Sequence, residues 1–95
     1  MVVRTEDYVA SKLIVDDRVN EFNKNNPEFK AEWRYEESDF AAYFELTMYY
    51  QYNTAIKARA LYSVDEIIKL CDPKWCIDWA LKDLKVKIMK HVGKE

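Results

Sequence analysis

The chain has 95 residues, of which 49% are hydrophobic and 15% aromatic, and its formal net charge is −2. This composition predicts one compact domain over residues 1–95 and excludes a disordered chain, which buries too little apolar surface to fold. No apolar run is long enough for a signal peptide or a membrane span, and two cysteines are too few for a disulfide framework, so we expect a soluble, cytoplasmic protein with reduced cysteines.

The first predicted element is a helix from Thr5 to about Asn23. Thr5 is the predicted N-cap, because two acidic residues follow it in the first turn. Apolar residues recur within one arc at about 100° per residue, so this helix is expected to cover a core. They are Tyr8, Val15, Val19 and Phe22, flanked by Val9, Leu13 and Ile14. The segment 23–27, rich in asparagine and closed by proline, predicts the turn that ends the helix.

Two segments alternate apolar and polar residues with the period of two that is typical of half-buried strands. The first is 28–36, and the second, which we predict to be the central strand of a sheet, runs from Phe40 to Tyr52. The apolar face of the first holds Phe29, Ala31, Trp33 and Tyr35, and that of the second holds Phe44, Leu46, Met48, Tyr50 and Tyr52. The apolar face of the first segment is odd-numbered and that of the second is even-numbered. If both faces lie on the same side of the sheet, the numbers of two opposed residues must sum to an odd value. A loop at 36–39 predicts the sum 75, which opposes Trp33 with Ala42 and Phe29 with Leu46.

The stretch from Ala55 to Tyr62 fits either of two structures. Alanine, lysine, arginine and leucine are strong helix formers, so a helix is the alternative. As a third strand it opposes Tyr50 with Ala58, and it brings Arg59 across from Tyr49 in a cation–π contact. The pairing of large with small side chains favours the strand.

The C-terminal part predicts two helices. Ser63 and Glu66 have the spacing of a capping box, and Asp72 followed by Pro73 starts a longer helix that ends near Val92, with Gly93 as its C-cap. The predicted fold is therefore α+β, with the order α-β-β-β-α-α and the helices on one face of a three-stranded antiparallel sheet. The long helix carries two apolar stripes, the first formed by Ile77, Ala80, Leu81, Leu84, Ile88 and Val92, and the second by Trp75, Trp79 and Val86. The sheet needs one stripe, and the other needs a further partner, either the first helix, a second subunit or another protein.

The chain shows no arrangement typical of catalysis or of cofactor binding. Its single glycine excludes a glycine-rich phosphate loop, and His91 has no nucleophile at a suggestive spacing. Cys71 and Cys76 with His91 fall short of the four ligands of structural zinc. We therefore predict a protein that is not an enzyme and that binds no cofactor or metal.

Nucleic-acid binding is the alternative prediction. The outer sheet face is expected to carry Lys57 and Arg59, and the last helix carries Lys82 and Lys85. The order helix, three strands, helix resembles the double-stranded RNA binding domain, which implies RNA contact. That resemblance is in topology, since the Gly-Pro-x-His loop and the Lys-Lys-x-Ala-Lys helix start of that family are absent. Glutamates interleave with the basic residues, and the pI is about 5.5, so a nucleic-acid partner is less favoured than a protein.

The favoured prediction is a protein-interaction domain, which would act as an adaptor, an inhibitor or an assembly subunit, with a homodimer among its forms. Its predicted interface consists of Trp75, Trp79 and Val86 together with an exposed Tyr43 and Tyr49, because Trp and Tyr dominate interface energies. Many Asn, Lys and Tyr residues with few Gly and Pro suit an accessory protein of an AT-rich virus or mobile element.

Overall fold

A computed structural model describes residues 4–69 and 72–93 and shows the predicted order of elements. The elements are α1 (Thr5–Asn25), β1 (Phe29–Glu37), β2 (Ala42–Tyr50), β3 (Asn53–Ser63), α2 (Val64–Lys69) and α3 (Pro73–Val92). The strands form one antiparallel sheet in the order β1-β2-β3, so β2 is central as predicted, and the segment from Ala55 to Tyr62 is a strand. Among the described residues, no helix is long and apolar enough to cross a membrane.

The core lies between one face of the sheet and the helices. Phe44, Leu46 and Met48 of β2 are completely buried, which confirms the predicted even-numbered face. They cluster with Val15 and Val19 of α1 and with Ile77, Leu81, Leu84 and Ile88 of α3. The face of the sheet opposite the helices, called here the outer sheet face, is not covered by any described element. Function must therefore be sought on this face, on the outer sides of the helices or at the sheet edges.

The central strand is shorter at both ends than predicted. Phe40 and Tyr52 lie in the turns on either side of β2 and are 92% and 75% exposed. The turn before β2 is built around Ser38, whose hydroxyl accepts hydrogen bonds from the backbone N–H groups of Phe40 and Ala41 at 3.4 and 3.2 Å. Because this turn takes the chain out of the ladder, Phe40 cannot pack on the core.

The predicted β1–β2 register is wrong by four residues, although its parity is right. Trp33 opposes Leu46 instead of Ala42, and Phe29 opposes Tyr50 instead of Leu46. The reason is the position of the turn, since Ser38 N–H donates to the Ala41 carbonyl at 2.8 Å and places the loop at 38–41 rather than 36–39. A slip by an even number of residues keeps every side chain on its face, so alternation alone does not distinguish the two registers.

The β2–β3 register also differs from the prediction by two residues. Met48 opposes Ala58, and Tyr49 opposes Lys57, so the predicted contact of Arg59 with Tyr49 does not form. The connecting turn is at 51–52 rather than 53–55, and the register shifts between Tyr49 and Tyr50. Because of this irregularity, residues 54–56 are extra residues on β3. A small residue, Ala58, therefore lies opposite Met48, as the pairing of large with small side chains had predicted.

The caps of α3 follow the predictions, the capping box of α2 forms only its Ser63 half among the described hydrogen bonds, and the predicted cap of α1 does not form. The Asp72 carboxylate accepts a hydrogen bond from Trp75 N–H at 3.0 Å, and Gly93 ends α3 in the left-handed conformation with φ of 77°. The Ser63 hydroxyl accepts from Glu66 N–H at 3.0 Å at the start of α2. The prediction of Thr5 as an N-cap is wrong, because Arg4 occupies that position without a side-chain cap and Thr5 is the first helical residue.

Candidate protein-interaction surface

The second apolar stripe of α3 is exposed to solvent. Trp75, Trp79 and Val86, called here the α3 stripe, are 63%, 53% and 39% exposed. At about 100° per residue they fall within about 40° of one another, centred about 170° from the buried residues of the same helix. A stripe opposite the core cannot be covered by an element that lies beside α3. The alternative in which the first helix packs on these residues is therefore wrong.

The first helix lies beside α3 rather than over it. Arg18 of α1 donates from its Nε to the Asp78 carboxylate at 2.6 Å. This hydrogen bond raises the pKa of Arg18, with smaller contributions from the charges of Asp78 and Asp17, so the guanidinium stays charged. Further along α3, Lys85 Nζ donates at 2.8 Å to the side-chain oxygen of Asn26, the residue that follows α1. The first contact joins the flanks of the two helices, the second joins α3 to the turn after α1, and both leave the α3 stripe open.

Two lysines extend the α3 stripe with positive charge. Lys82 and Lys90 are exposed, lie in the same outward arc of α3 and have no ion pair among the described residues. Lys85 differs, because it is half-buried, hydrogen bonded to Asn26, and 5.4 Å from the centre of the Phe29 ring. Of the two lysines that the sequence proposed as nucleic-acid contacts on this helix, Lys82 faces solvent and Lys85 holds the turn after α1.

The outer sheet face is a network of paired charges rather than a basic platform. Glu45 lies in the middle of this face, and its side chain is only 13% exposed. Its carboxylate forms ion pairs with Arg34 and Arg59, both at 3.3 Å. The Tyr43 hydroxyl donates to Glu36 at 2.7 Å, and this hydrogen bond raises the pKa of Tyr43, with the Glu36 charge as the next cause. The glutamates therefore offset the positive charge on this face, and Tyr43 is already engaged.

Tyr49 is the aromatic residue on this face with basic neighbours on both sides. It opposes Lys30 on β1 and Lys57 on β3, and shallow depressions of about 430 and 420 Å³ lie on its two sides. Both Tyr43 and Tyr49 are half-buried, which corrects the expectation that they are exposed.

The structure separates the predicted interface residues into two surfaces. The α3 stripe is on the outer side of the helical layer, whereas Tyr43 and Tyr49 are on the outer sheet face, with the core between them. One partner with a compact epitope cannot contact both. Sequence reasoning also missed Leu61, which is 55% exposed and opposes Glu45 on the outer sheet face. Its odd number in β3 was the available signal, because alternation puts it beside Arg59.

The described residues that were considered for metal binding or nucleophilic chemistry, Cys76 and His91, do not form a site. Within the described ranges, no group of three or more His, Cys, Asp or Glu side chains could hold a metal ion. Cys76 is half-buried, and burial raises the pKa of its thiol, with the charge of Glu66 as a smaller cause, so the thiolate form is disfavoured. His91 is exposed in the last turn of α3, and Cys71 lies outside the described residues.

Comparison of the chain with known protein families, curated proteins and solved structures gave no match.

Proposed function

We propose that this protein is a non-enzymatic interaction domain that binds another protein, or a second copy of itself, through the α3 stripe. The supporting observation is that Trp75 and Trp79 are more than half exposed on the side of α3 opposite the core. Trp is enriched in the centres of interfaces and is among the residues that carry most of the binding energy there. An adaptor, an inhibitor and an assembly subunit all work by such contact, and the composition suits a cytoplasmic accessory protein of a virus or mobile element.

The area of the two tryptophans gives a scale for this interface. At roughly 250 Å² for each side chain, exposed fractions of 63% and 53% correspond to about 290 Å² of surface that a partner could bury. At about 25 cal/mol per Å², this area contributes about 7 kcal/mol before the costs of association. Those costs are about 4 to 15 kcal/mol, so the tryptophans require surrounding contacts to bind stably. Val86 extends the apolar centre, and Lys82 and Lys90 supply a polar rim.

The substitution Trp79→Glu tests this proposal, with Leu13→Glu as the matched control. Both residues are exposed apolar positions on helices, but Leu13 lies on α1 and outside the α3 stripe. We expect both variants to fold, as followed by circular dichroism. The Trp79 variant should lose the protein captured by the tagged wild-type chain from its native host, or show a smaller mass by light scattering. The Leu13 variant should behave as the wild type.

Two results would reject the proposal. A folded Trp79→Glu variant with unchanged mass and unchanged capture shows that the α3 stripe binds nothing. An unfolded Trp79→Glu variant beside a folded Leu13→Glu variant shows that Trp79 belongs to the core.

RNA binding by the outer sheet face is the second candidate. It is supported by Tyr49, which has the two lysines Lys30 and Lys57 as its cross-strand neighbours, an arrangement that suits stacking of a base near phosphate charge. Replacing Lys57 and Arg59 by Glu should weaken RNA binding and reduce its dependence on salt. If the wild-type chain binds no RNA, or if the variant binds it equally well, this candidate is removed.

A further inference from the structure

The two edges of the sheet are treated differently by the rest of the molecule. On the β1 edge, the Asn23 side chain of α1 bonds both main-chain groups of Ala31, donating to its carbonyl at 2.9 Å and accepting from its N–H at 2.7 Å. An amide in this position takes the hydrogen bonds that an additional strand would use, so it blocks the edge. On the β3 edge, the Asn53 side-chain oxygen accepts from Ala55 N–H at 3.1 Å, and no side chain of the described residues bonds the main chain of Lys57, Arg59 or Leu61.

The Asn23 contact also determines which main-chain groups of β3 face outward. The N–H and C=O of Ala31 point away from β2, so in β1 the even-numbered residues bond to β2. Gln51 N–H donating to the Glu28 carbonyl at 3.0 Å agrees with this pattern. The β2 residues opposite these even-numbered residues of β1 are odd-numbered. The even-numbered residues of β2 therefore form their main-chain hydrogen bonds with β3. In β3 the even-numbered residues therefore bond inward, and Lys57, Arg59 and Leu61 present their N–H and C=O groups to solvent.

A groove runs along this edge between β3 and α3. It has a volume of about 220 Å³, and its lining includes Ile56, Lys57 and Ala58 of β3 with Lys87, Ile88 and His91 of α3. Ala58 and Ala60 are the small side chains on the helix-facing side of β3, so an added strand would find room beside them. The groove thus combines unpaired main-chain groups with a lining in which small and apolar side chains lie beside basic ones, so an extended peptide could add as a strand and place its side chains there.

The charges around the groove are mainly positive. Lys57 has no ion pair among the described residues, whereas Arg59 shares Glu45 with Arg34, and Lys87 pairs with Asp83 at 3.1 Å. Side chains of an added strand that lie beside Lys57 and Arg59 would be on the outer sheet face, and the alternate ones would face α3. This placement favours acidic residues at the positions beside Lys57 and Arg59 and apolar residues at the positions that face α3. A second copy of β3 is disfavoured, because it would bring Lys57 and Arg59 of both chains together.

We propose that the β3 edge binds an extended peptide in which acidic and apolar residues alternate, by adding it as a fourth strand beside β3. The main chain of Lys57, Arg59 and Leu61 supplies the hydrogen bonds. This site is separate from the α3 stripe, so it can be occupied whether or not that stripe has a partner.

The test uses the full chain and a synthetic peptide of alternating Glu and Val, followed by amide hydrogen exchange in NMR spectra. We expect exchange of the amide protons of Lys57, Arg59 and Leu61 to slow by about tenfold at a peptide concentration roughly ten times its dissociation constant. The amide protons of Ala58 and Ala60, which already bond to β2, should change less. A peptide of alternating Lys and Val should bind at least about tenfold more weakly.

Changes to the peptide provide controls that leave the folding of the protein untouched. N-methylation of the peptide amides on one edge should abolish binding, whereas N-methylation of those on the other edge should leave it unchanged, because only one edge of the added strand faces β3. Binding that is insensitive to both methylation patterns, or equal binding of the Lys peptide, would overturn the proposal. Unchanged amide exchange at Lys57, Arg59 and Leu61 with a saturating Glu peptide would also overturn the proposal. In that case Lys57 and Arg59 would serve to prevent the β3 edge from pairing with another strand.

Discussion

Replacement of Asn23 by alanine should destabilise the protein by about 2 kcal/mol. The side chain of Asn23 makes hydrogen bonds of 2.9 and 2.7 Å to the two main-chain groups of the buried Ala31, and the bonds are partly shielded from water. Each such bond contributes about 1 kcal/mol, and groups left unpaired near a core cost more than groups that water can reach. In a domain of this size, a loss of about 2 kcal/mol lowers the melting temperature by roughly 8 to 16 °C.

The assay is urea unfolding followed by circular dichroism, with Asn20→Ala as the matched control. Asn20 lies on the same helix, but it is exposed and its amide donates only to the exposed Asp16 at 3.3 Å. Both substitutions make the same change in helix propensity, so the difference between them isolates the contact with Ala31. Equal stability of the two variants would refute the assignment of the Asn23 bonds. It would also contradict the assignment of the Lys57, Arg59 and Leu61 main-chain groups to the open side of β3.

Two further predictions concern Ser11 and Tyr35. Ser11 is completely buried, and its hydroxyl has no hydrogen-bond partner among the described residues. The substitution Ser11→Ala should therefore raise the free energy of unfolding, measured in urea, by up to about 1 kcal/mol. A decrease of similar size would show that the hydroxyl is paired. Burial, followed by the hydrogen bond and charge of Glu37, raises the pKa of Tyr35 from 10.0 to about 12. The unfolded chain releases this proton first, so the stabilising contribution is complete below pH 10 and is lost as the pH rises towards 12. Tyr35→Phe should lose less stability than the wild type over that interval in urea titrations, and an identical loss would contradict the assignment.

The predicted and observed folds agree where local pattern is decisive. Alternation of apolar residues in β1 and β2 identified the buried faces, and the pair Asp72 and Pro73 identified the start of α3. The third strand was correctly preferred over a helix because alanines every second residue fit against large side chains of β2, although the register chosen for that fit was wrong. Local chemistry failed at Thr5, where a residue able to cap was placed one position inside the helix.

The strand registers and the surfaces lay beyond the sequence for a common reason. A slip of two residues keeps both faces of a strand, so alternation gives the parity of a register but not its value. The value came from the turn at Ser38, whose hydroxyl holds two backbone N–H groups. The groove at the β3 edge was likewise not predictable, since it depends on how α3 packs beside β3, and the open edge on Asn23 blocking the other one.

The amino-acid sequence by itself determined the order of the elements and the buried faces of β1, β2 and α3, because helix and strand periods are properties of neighbouring positions along one chain. Only the tertiary structure decided that α1 lies beside α3, joined through Arg18 and Asp78, so that Trp75 and Trp79 stay in solvent. That outcome depends on the packing of two helices against a shared sheet, and the apolar stripe of α3 would look the same in the sequence whether or not another element covered it.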